Sequence, residues 1–222
     1  MSQGLRYSVD LVICIDATGS MSPVIEEVKA SALNFFPRLE AKMAEKDKQI
    51  DQTRIRVIVF RDYWADASDK VMISSKFFNL PSESSAFSNF ISGIYADGGG
   101  DEPENALEAL ALAMQSPWDT TQGSKQRYVV LVWTDASAHP LEKSPKPSYY
   151  PSDIPSTFDD LTDAWDEVDI KSKRLLLFSP DTTPWAEIQD NWENVIHFPS
   201  KAGQGLEDYE MDEILEAIAN SV

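Results

Sequence analysis

Three clusters of oxygen-bearing side chains carry the chemistry open to this sequence. The first, Asp16-Ala-Thr-Gly-Ser-Met-Ser22, ends an apolar run and sets Asp16, Thr18 and Ser20 at alternate positions, so that a loop leaving a strand can turn all three toward one point. The second is Gly98-Gly-Gly-Asp-Glu-Pro-Glu104, which brings Asp101, and the third is Thr134-Asp-Ala-Ser-Ala-His139, where Asp135 again closes an apolar run. Carboxylates and hydroxyls without sulfur are hard ligands, suited to Mg2+, Ca2+ or Mn2+ rather than zinc. Gly19 is expected to let the backbone bend closely around such an ion. Pro23 suits the first turn of a helix whose amide donors and positive dipole end would aim at the same place.

Each cluster also has a plainer reading. Ser and Thr routinely cap helices, and a glycine-rich turn can lead into a helix with acidic residues in its first turn. The arrival of all three at strand ends or helix starts favours the metal reading. Glu102 and Glu104 are read as solvated or dipole-pairing rather than metal-bound. His139 has the chemistry of a general base near neutral pH, but is read first as a loop histidine bonded to a neighbouring strand end, and His197 as structural.

Positioning these clusters falls to strands and helices that alternate along the chain. Residues 7–15 form a near-continuous apolar strand of the kind buried on both faces of a parallel sheet. A helix follows from Pro23, with Val24, Val28, Ala32, Phe35, Phe36 and Leu39 at helical spacing and Pro37 as a candidate kink. Further strands are expected at 54–60, 70–78, 126–135, 174–178 and 194–198, and helices at 82–94 with Ser82 as cap, 158–167, 184–192 and 208–220. The link between 54–60 and 70–78 is too short for a parallel crossover, so this pair should be antiparallel with the second member at a sheet edge. The pattern is α/β, a doubly wound open sheet in a single domain over 1–222, whose ligands bind beyond the carboxyl ends of the strands.

Two further segments belong to that edge. Arg61-Asp-Tyr-Trp64 ends a strand beside the first cluster, either as a hairpin of packed aromatics or with Arg61 or Asp62 orienting the loop. Residues 137–157 hold five of the 13 prolines together with Tyr149 and Tyr150, and read as a specificity loop. Tyr149, Tyr150, His139, Tyr63 and Trp64 would form a partner-binding rim.

The chain has 222 residues, with 19 Lys and Arg against 37 Asp and Glu, a formal net charge of −18. That balance argues against nucleic acid or an anionic membrane as partner and for a cation or a basic protein surface. There is no basic, apolar leader and no run approaching the roughly 20 apolar residues of a membrane helix, so a soluble, cytoplasmic protein is expected. Cys14, the single cysteine, reads as a small buried hydrophobe.

DATGSMS resembles the first motif of von Willebrand factor type A (vWA) domains, the metal-ion-dependent adhesion site (MIDAS) written Asp-x-Ser-x-Ser, with Thr18 in place of the first serine. GGGDEPENAL resembles the second metal loop of a bacterial and eukaryotic branch that includes the domain found beside alpha-kinases, and TDASAH the third loop of that branch. The resemblance implies a Rossmann-like vWA fold, a mostly parallel six-stranded sheet in the order 3-2-1-4-5-6 with strand 3 an antiparallel edge and helices on both faces. It implies Mg2+ bound directly by Thr18 and Ser20 and largely through water by Asp16 and Asp135, with one position open for a carboxylate from a partner protein. Asp101 stands where better-known adhesion domains carry threonine. As a direct ligand it would close the site, and as a water-mediated one it would leave the site open; both readings stand.

The function expected is therefore a non-enzymatic, Mg2+-dependent adaptor acting in a multiprotein bacterial stress or defence system. The alternative is a Mg2+-dependent phosphohydrolase with Asp16 as nucleophile, which needs an acid/base aspartate two residues on, where Thr18 stands. No phosphate-cradling glycine loop of the GxGxxG or GxxxxGK[ST] kind is present.

Overall fold

The computed structural model describes residues 5–121, 124–200 and 216, and within them the side chains of all but residues 5, 24, 27–36 and 200. β1 (Leu5–Asp16) leads through a 3-10 turn (Gly19–Met21) into α1 (Ser22–Glu45). β2 (Lys48–Phe60), β3 (Met72–Ser74), β4 (Phe78–Leu80), α2 (Ser84–Ser92) and α3 (Ala106–Met114) follow. The chain continues through β5 (Lys125–Trp133), α4 (Phe158–Glu167), β6 (Lys173–Pro180), α5 (Trp185–Asn191) and β7 (Val195–Ser200). The helix expected at 208–220 lies outside the described residues except for Glu216.

The sheet runs β3-β2-β1-β5-β6-β7, with β4 also paired to β2. β1 is parallel to β2 and β5, and β6 to β5 and β7, while β3 and β4 run antiparallel to β2. This is the expected order with one correction, seven strands instead of six. The strand expected over 70–78 is broken because the Ser75 side chain, not a ladder carbonyl, accepts the Val57 amide at 2.9 Å and Ser75 Oγ turns to Lys76 O at 2.7 Å. A second correction concerns Ser82, whose hydroxyl donates back to Asn79 O at 3.0 Å and does not cap α2; Glu83 holds the N-cap position, just before Ser84 begins the helix.

β1 is central because its side chains serve two cores. Val9, Leu11, Ile13 and Ile15 join Leu39 and Met43 of α1 and Phe87 and Ile91 of α2 on one face. Val12 and Cys14 join α3, Trp165 of α4 and Trp185 of α5 on the other. Each such buried aliphatic contributes on the order of 1.5–3 kcal/mol. Cys14 is wholly buried against α3, and burial pushes its thiol well above the ordinary range, so it is the inert hydrophobe expected. Apolar residues lie all round α3, and the helix is correspondingly buried on nearly every side, taking Glu108 into the interior with it. Among the described residues, no helix is long and apolar enough to cross a membrane.

Candidate metal centre

Asp16 is the last residue of β1 and is fully buried. Its Oδ1 accepts from the Thr18 amide at 2.9 Å and the Thr18 hydroxyl at 2.7 Å, and its Oδ2 accepts from Thr134 Oγ1 at 2.6 Å. Thr18 Oγ1 stands 3.3 Å from Ser20 Oγ, and Ser20 Oγ donates to Asp135 Oδ1 at 3.0 Å. Four of the residues read from the sequence, Asp16, Thr18, Ser20 and Asp135, are thus one contiguous polar cluster at the carboxyl ends of β1 and β5. Parallel pairing of these strands in register makes it so, because it brings Ile15 beside Trp133 and the loops leave the sheet together.

Burial raises the Asp16 carboxyl to about 6, against the pull of the Thr134 and Thr18 hydrogen bonds. Asp135 is also raised, again by burial first, and its Oδ2 is buried without a hydrogen-bond partner. An orphaned carboxylate oxygen in such a place lacks the compensation that buried polar groups ordinarily find.

Asp101 is the expected residue that does not join. It is exposed, and no hydrogen bond ties it to the other four. The carboxylate that the glycine loop does bring inside is Glu104, read from the sequence as solvated or dipole-pairing and found 4 % exposed with Oε2 unpartnered. Burial, then the charges of Asp16, Asp62, Asp66 and Asp135, raise it to about 9. Its backbone explains the burial: the Glu104 amide donates to Ser137 O at 3.0 Å and its carbonyl accepts from His139 N at 2.8 Å, a parallel bridge to Ala138. The signal that could have revealed it is the helix that begins two residues later, apolar all round but for Glu108, since a helix buried on every side carries its flank inside.

The glycines that matter are Gly98, Gly99 and Gly100, all at positive φ. Gly19, expected to supply the close bend, has no such φ, and a Cβ there would meet only Gly98 O at 3.7 Å. At Gly99 a Cβ would fall 2.5 Å from Thr18 Cγ2 and 2.8 Å from Glu104 Oε1, so only a glycine lets the second loop close on the first.

Arg61 resolves the two readings of its segment in favour of loop orientation. Its buried guanidinium donates to Ala17 O at 3.0 Å, Asp97 O at 2.8 Å, Tyr95 O at 2.7 Å and Lys70 O at 2.6 Å. One side chain therefore holds the first loop, the approach to the glycine loop and the hairpin after β2. Asp62 accepts from the Trp64 amide at 2.8 Å and lies 3.4 Å from His139 Nε2.

The aromatic segment divides by depth. Tyr149 is exposed, and Trp64 and Tyr150 are half-buried, whereas Tyr63 and His139 are buried beneath them and form no outer rim. Tyr150 donates to Glu108 Oε1 at 2.8 Å, Trp64 Nε1 to Pro145 O at 2.8 Å, and Tyr149 OH meets Tyr63 O and Asp66 O at 2.8 Å each. The 137–157 segment is thereby tied to the hairpin after β2. His139 packs edge-on against Trp64 with 5.0 Å between ring centroids, and burial, followed by Lys143, lowers its pKa. His197 joins β7 to β6 and α5 through Ser179 at 3.0 Å and Gln189 at 2.7 Å.

The donors present fit a hard divalent cation: two hydroxyls and the carboxylates of Asp16, Asp135 and Glu104, two of them with an orphaned oxygen. Among the described residues, no three His, Cys, Asp or Glu side chains converge closely enough to ligate an ion by themselves. A cation held there would need the hydroxyls of Thr18 and Ser20 beside the carboxylates.

The order and directions of the strands, with helices on both faces and polar loops at the carboxyl ends, define a Rossmann-like fold of the vWA kind. Similar folds are found in the pilus adhesin SpaC of Lactobacillus rhamnosus GG, with TM-score 0.58, 13 % identity and coverage of 96 % of this chain and 30 % of that one. The open conformation of SpaC gives TM-score 0.55 at 12 % identity over the same shares. A looser likeness, TM-score 0.41 at 16 % identity over 62 % of this chain and 42 % of the other, is to the von Willebrand factor domain of the Porphyromonas gingivalis pilus tip protein Mfa5. In sequence, the chain is 28 % identical over 148 residues to the alpha-protein kinase vwkA of Dictyostelium discoideum, covering 67 % of this chain and 21 % of that protein. The chain thus spans about a fifth of that relative's length. No family model matches it.

Proposed function

We propose that this chain is a non-enzymatic protein-interaction module whose binding edge requires a divalent cation, Mg2+ by the chemistry of its donors, with Ca2+ or Mn2+ as substitutes. The observation that carries the reading is the buried, unpartnered Oδ2 of Asp135 at the end of the Asp16–Thr18–Ser20–Asp135 cluster. Thr18 and Ser20 would hold the ion through their hydroxyls, with Asp16 and Asp135 behind them. A fifth group comes from the glycine loop, Glu104 by burial and proximity in preference to the exposed Asp101. A bound cation supplies a positive centre at which a partner's carboxylate can complete the coordination. Exposed Tyr149, with Trp64 and Tyr150 beside it, offers aromatic area for the same partner.

By resemblance to the domains beside alpha-kinases, the same proposal puts the chain in the cytoplasm as an adaptor in a multiprotein bacterial stress or defence system. Asp16 is poorly suited to act as a phosphohydrolase nucleophile, because it is fully buried and each of its oxygens already accepts a hydrogen bond.

The test is thermal unfolding with Mg2+, Mn2+, Ca2+ or EDTA for the natural chain and for Asp16→Ala and Asp135→Ala, run beside p-nitrophenyl phosphate turnover. A melting temperature raised by cation in the natural chain alone, without turnover, is the expected result. An unchanged cation response in Asp135→Ala, or turnover lost in Asp16→Ala, would overturn the assignment.

A further inference from the structure

The end of the sheet opposite the metal loops carries the reverse charge. Lys125 and Arg127 at the start of β5, Arg174 at the start of β6 and Lys48 at the start of β2 share one face with Tyr7 of β1. Around the Tyr7 ring stand Arg127 at 5.2 Å and Lys48 and Lys125 at 5.9 Å each. A hollow of about 420 Å³ opens beside them, lined by Lys125, Gln126, Arg127, Asp169, Lys171 and Ser172.

Among the described residues, no carboxylate lies within ion-pair distance of Lys125, Arg127, Lys171 or Arg174, in a chain with 37 acidic residues. The two guanidiniums instead donate to neighbouring backbone, Arg127 to Gln126 O at 2.8 Å and Arg174 to Lys173 O at 2.6 Å, and Arg127 Nε is buried with no partner. The crowding is felt within the cluster: after burial, Arg127 lowers Arg174, and Lys46, Arg127 and Arg174 lower Lys48. Holding like charges together on an acidic protein is unfavourable unless something negative comes to them.

The width of the cluster selects what that is. It crosses β2, β1, β5 and β6, three interstrand gaps of about 4.8 Å, or roughly 14 Å. One phosphate cannot span that distance, whereas an extended segment of about four residues can. A nucleic acid would bring its whole charged backbone against a chain of net charge −18.

We propose that the basic end of the sheet, built on Lys125, Arg127, Lys171 and Arg174 around Tyr7, docks an acidic polypeptide segment of a partner protein, independently of the metal loops. The protein then has two binding poles, one at each end of its strands.

The test is fluorescence anisotropy of a labelled poly-glutamate peptide of about ten residues with the full chain in EDTA, which silences the metal loops. Binding is expected to weaken about tenfold in Arg127→Gln/Arg174→Gln, to weaken as strongly when salt rises from about 50 to about 300 mM, and to persist in Asp16→Ala. Circular dichroism melting of the double variant checks that it folds, and Lys125→Gln/Lys171→Gln serves in its place if it does not. No binding in EDTA, binding unchanged in a folded double variant, or equal displacement by inorganic phosphate or oligothymidine would overturn the proposal. Because every arm omits the cation, failure here leaves the metal reading untouched, and failure there leaves this one untouched.

Discussion

Gly99 lies so close to Thr18 that a Cβ on the glycine would stand 2.5 Å from the threonine methyl and 2.6 Å from its Cβ. Two metal-loop candidates are therefore in backbone-to-side-chain contact, at a residue whose φ of +94° few side chains tolerate.

Gly99→Ala should cost about 1–3 kcal/mol of stability and abolish the cation-induced rise in melting temperature, because the second loop must lift away from Thr18. Gly93→Ala is the control. Its Cβ would meet Phe90 O at an ordinary 3.4 Å, so the cation response should survive. Urea unfolding and thermal shift decide it, and a Gly99→Ala protein that still responds would show that the contact is incidental.

Glu104→Gln should weaken the apparent cation affinity about tenfold or more, while Asp101→Asn changes it by less than about threefold. The difference follows from burial, since Glu104 is 4 % exposed among other carboxylates and Asp101 is exposed. Isothermal titration with Mn2+ measures both, and the reverse ranking would return the ligand role to Asp101.

Removing the Arg61 guanidinium takes a donor from four carbonyls, of which Ala17 O alone keeps another, the Asp97 amide. Arg61→Met should cost about 3 kcal/mol or more by urea unfolding, and Arg61→Lys, with a single ammonium, should recover only part of it. A loss below about 1 kcal/mol would mean that the loops hold their places without it.

Glu108 gives the fold a pH dependence. Burial raises its carboxyl from 4.5 to about 7 against the Tyr150 hydrogen bond. The folded chain then keeps a proton that the unfolded chain releases, so the Glu108 contribution to stability should fall as pH rises from about 4.5 to about 7 and level off above, beside the slope that Glu104, raised to about 9, carries further. The whole loss across that window should be on the order of 3 kcal/mol at most. Glu108→Gln should flatten that part of the profile. Urea midpoints at pH values across the window, in EDTA, are the measurement; equal slopes in the two proteins would contradict it.

Much of the fold was legible because β1 and β5 must be apolar on both faces, and VDLVICI and YVVLVW say so directly. The beginning of β2 was not, since KQIDQT has no strand pattern and is held by pairing with β1 and, at Thr53, with β4. The break between β3 and β4 depends on the Ser75 side chain reaching the Val57 amide, a contact across 18 positions that no local pattern encodes. The same division runs through the site. Asp16 and Asp135 could be read because each ends a buried strand, whereas Glu104 is buried by a backbone bridge to Ala138 that joins two loops distant in sequence.

That bridge couples mechanics to chemistry. With Glu104 paired on both sides of Ala138, the glycine loop is joined to the start of the 137–157 segment, which runs on to Tyr149 and Tyr150. On the proposed function, a partner seated on those tyrosines and a cation held beside Glu104 would load the two ends of one connection, which two backbone hydrogen bonds close.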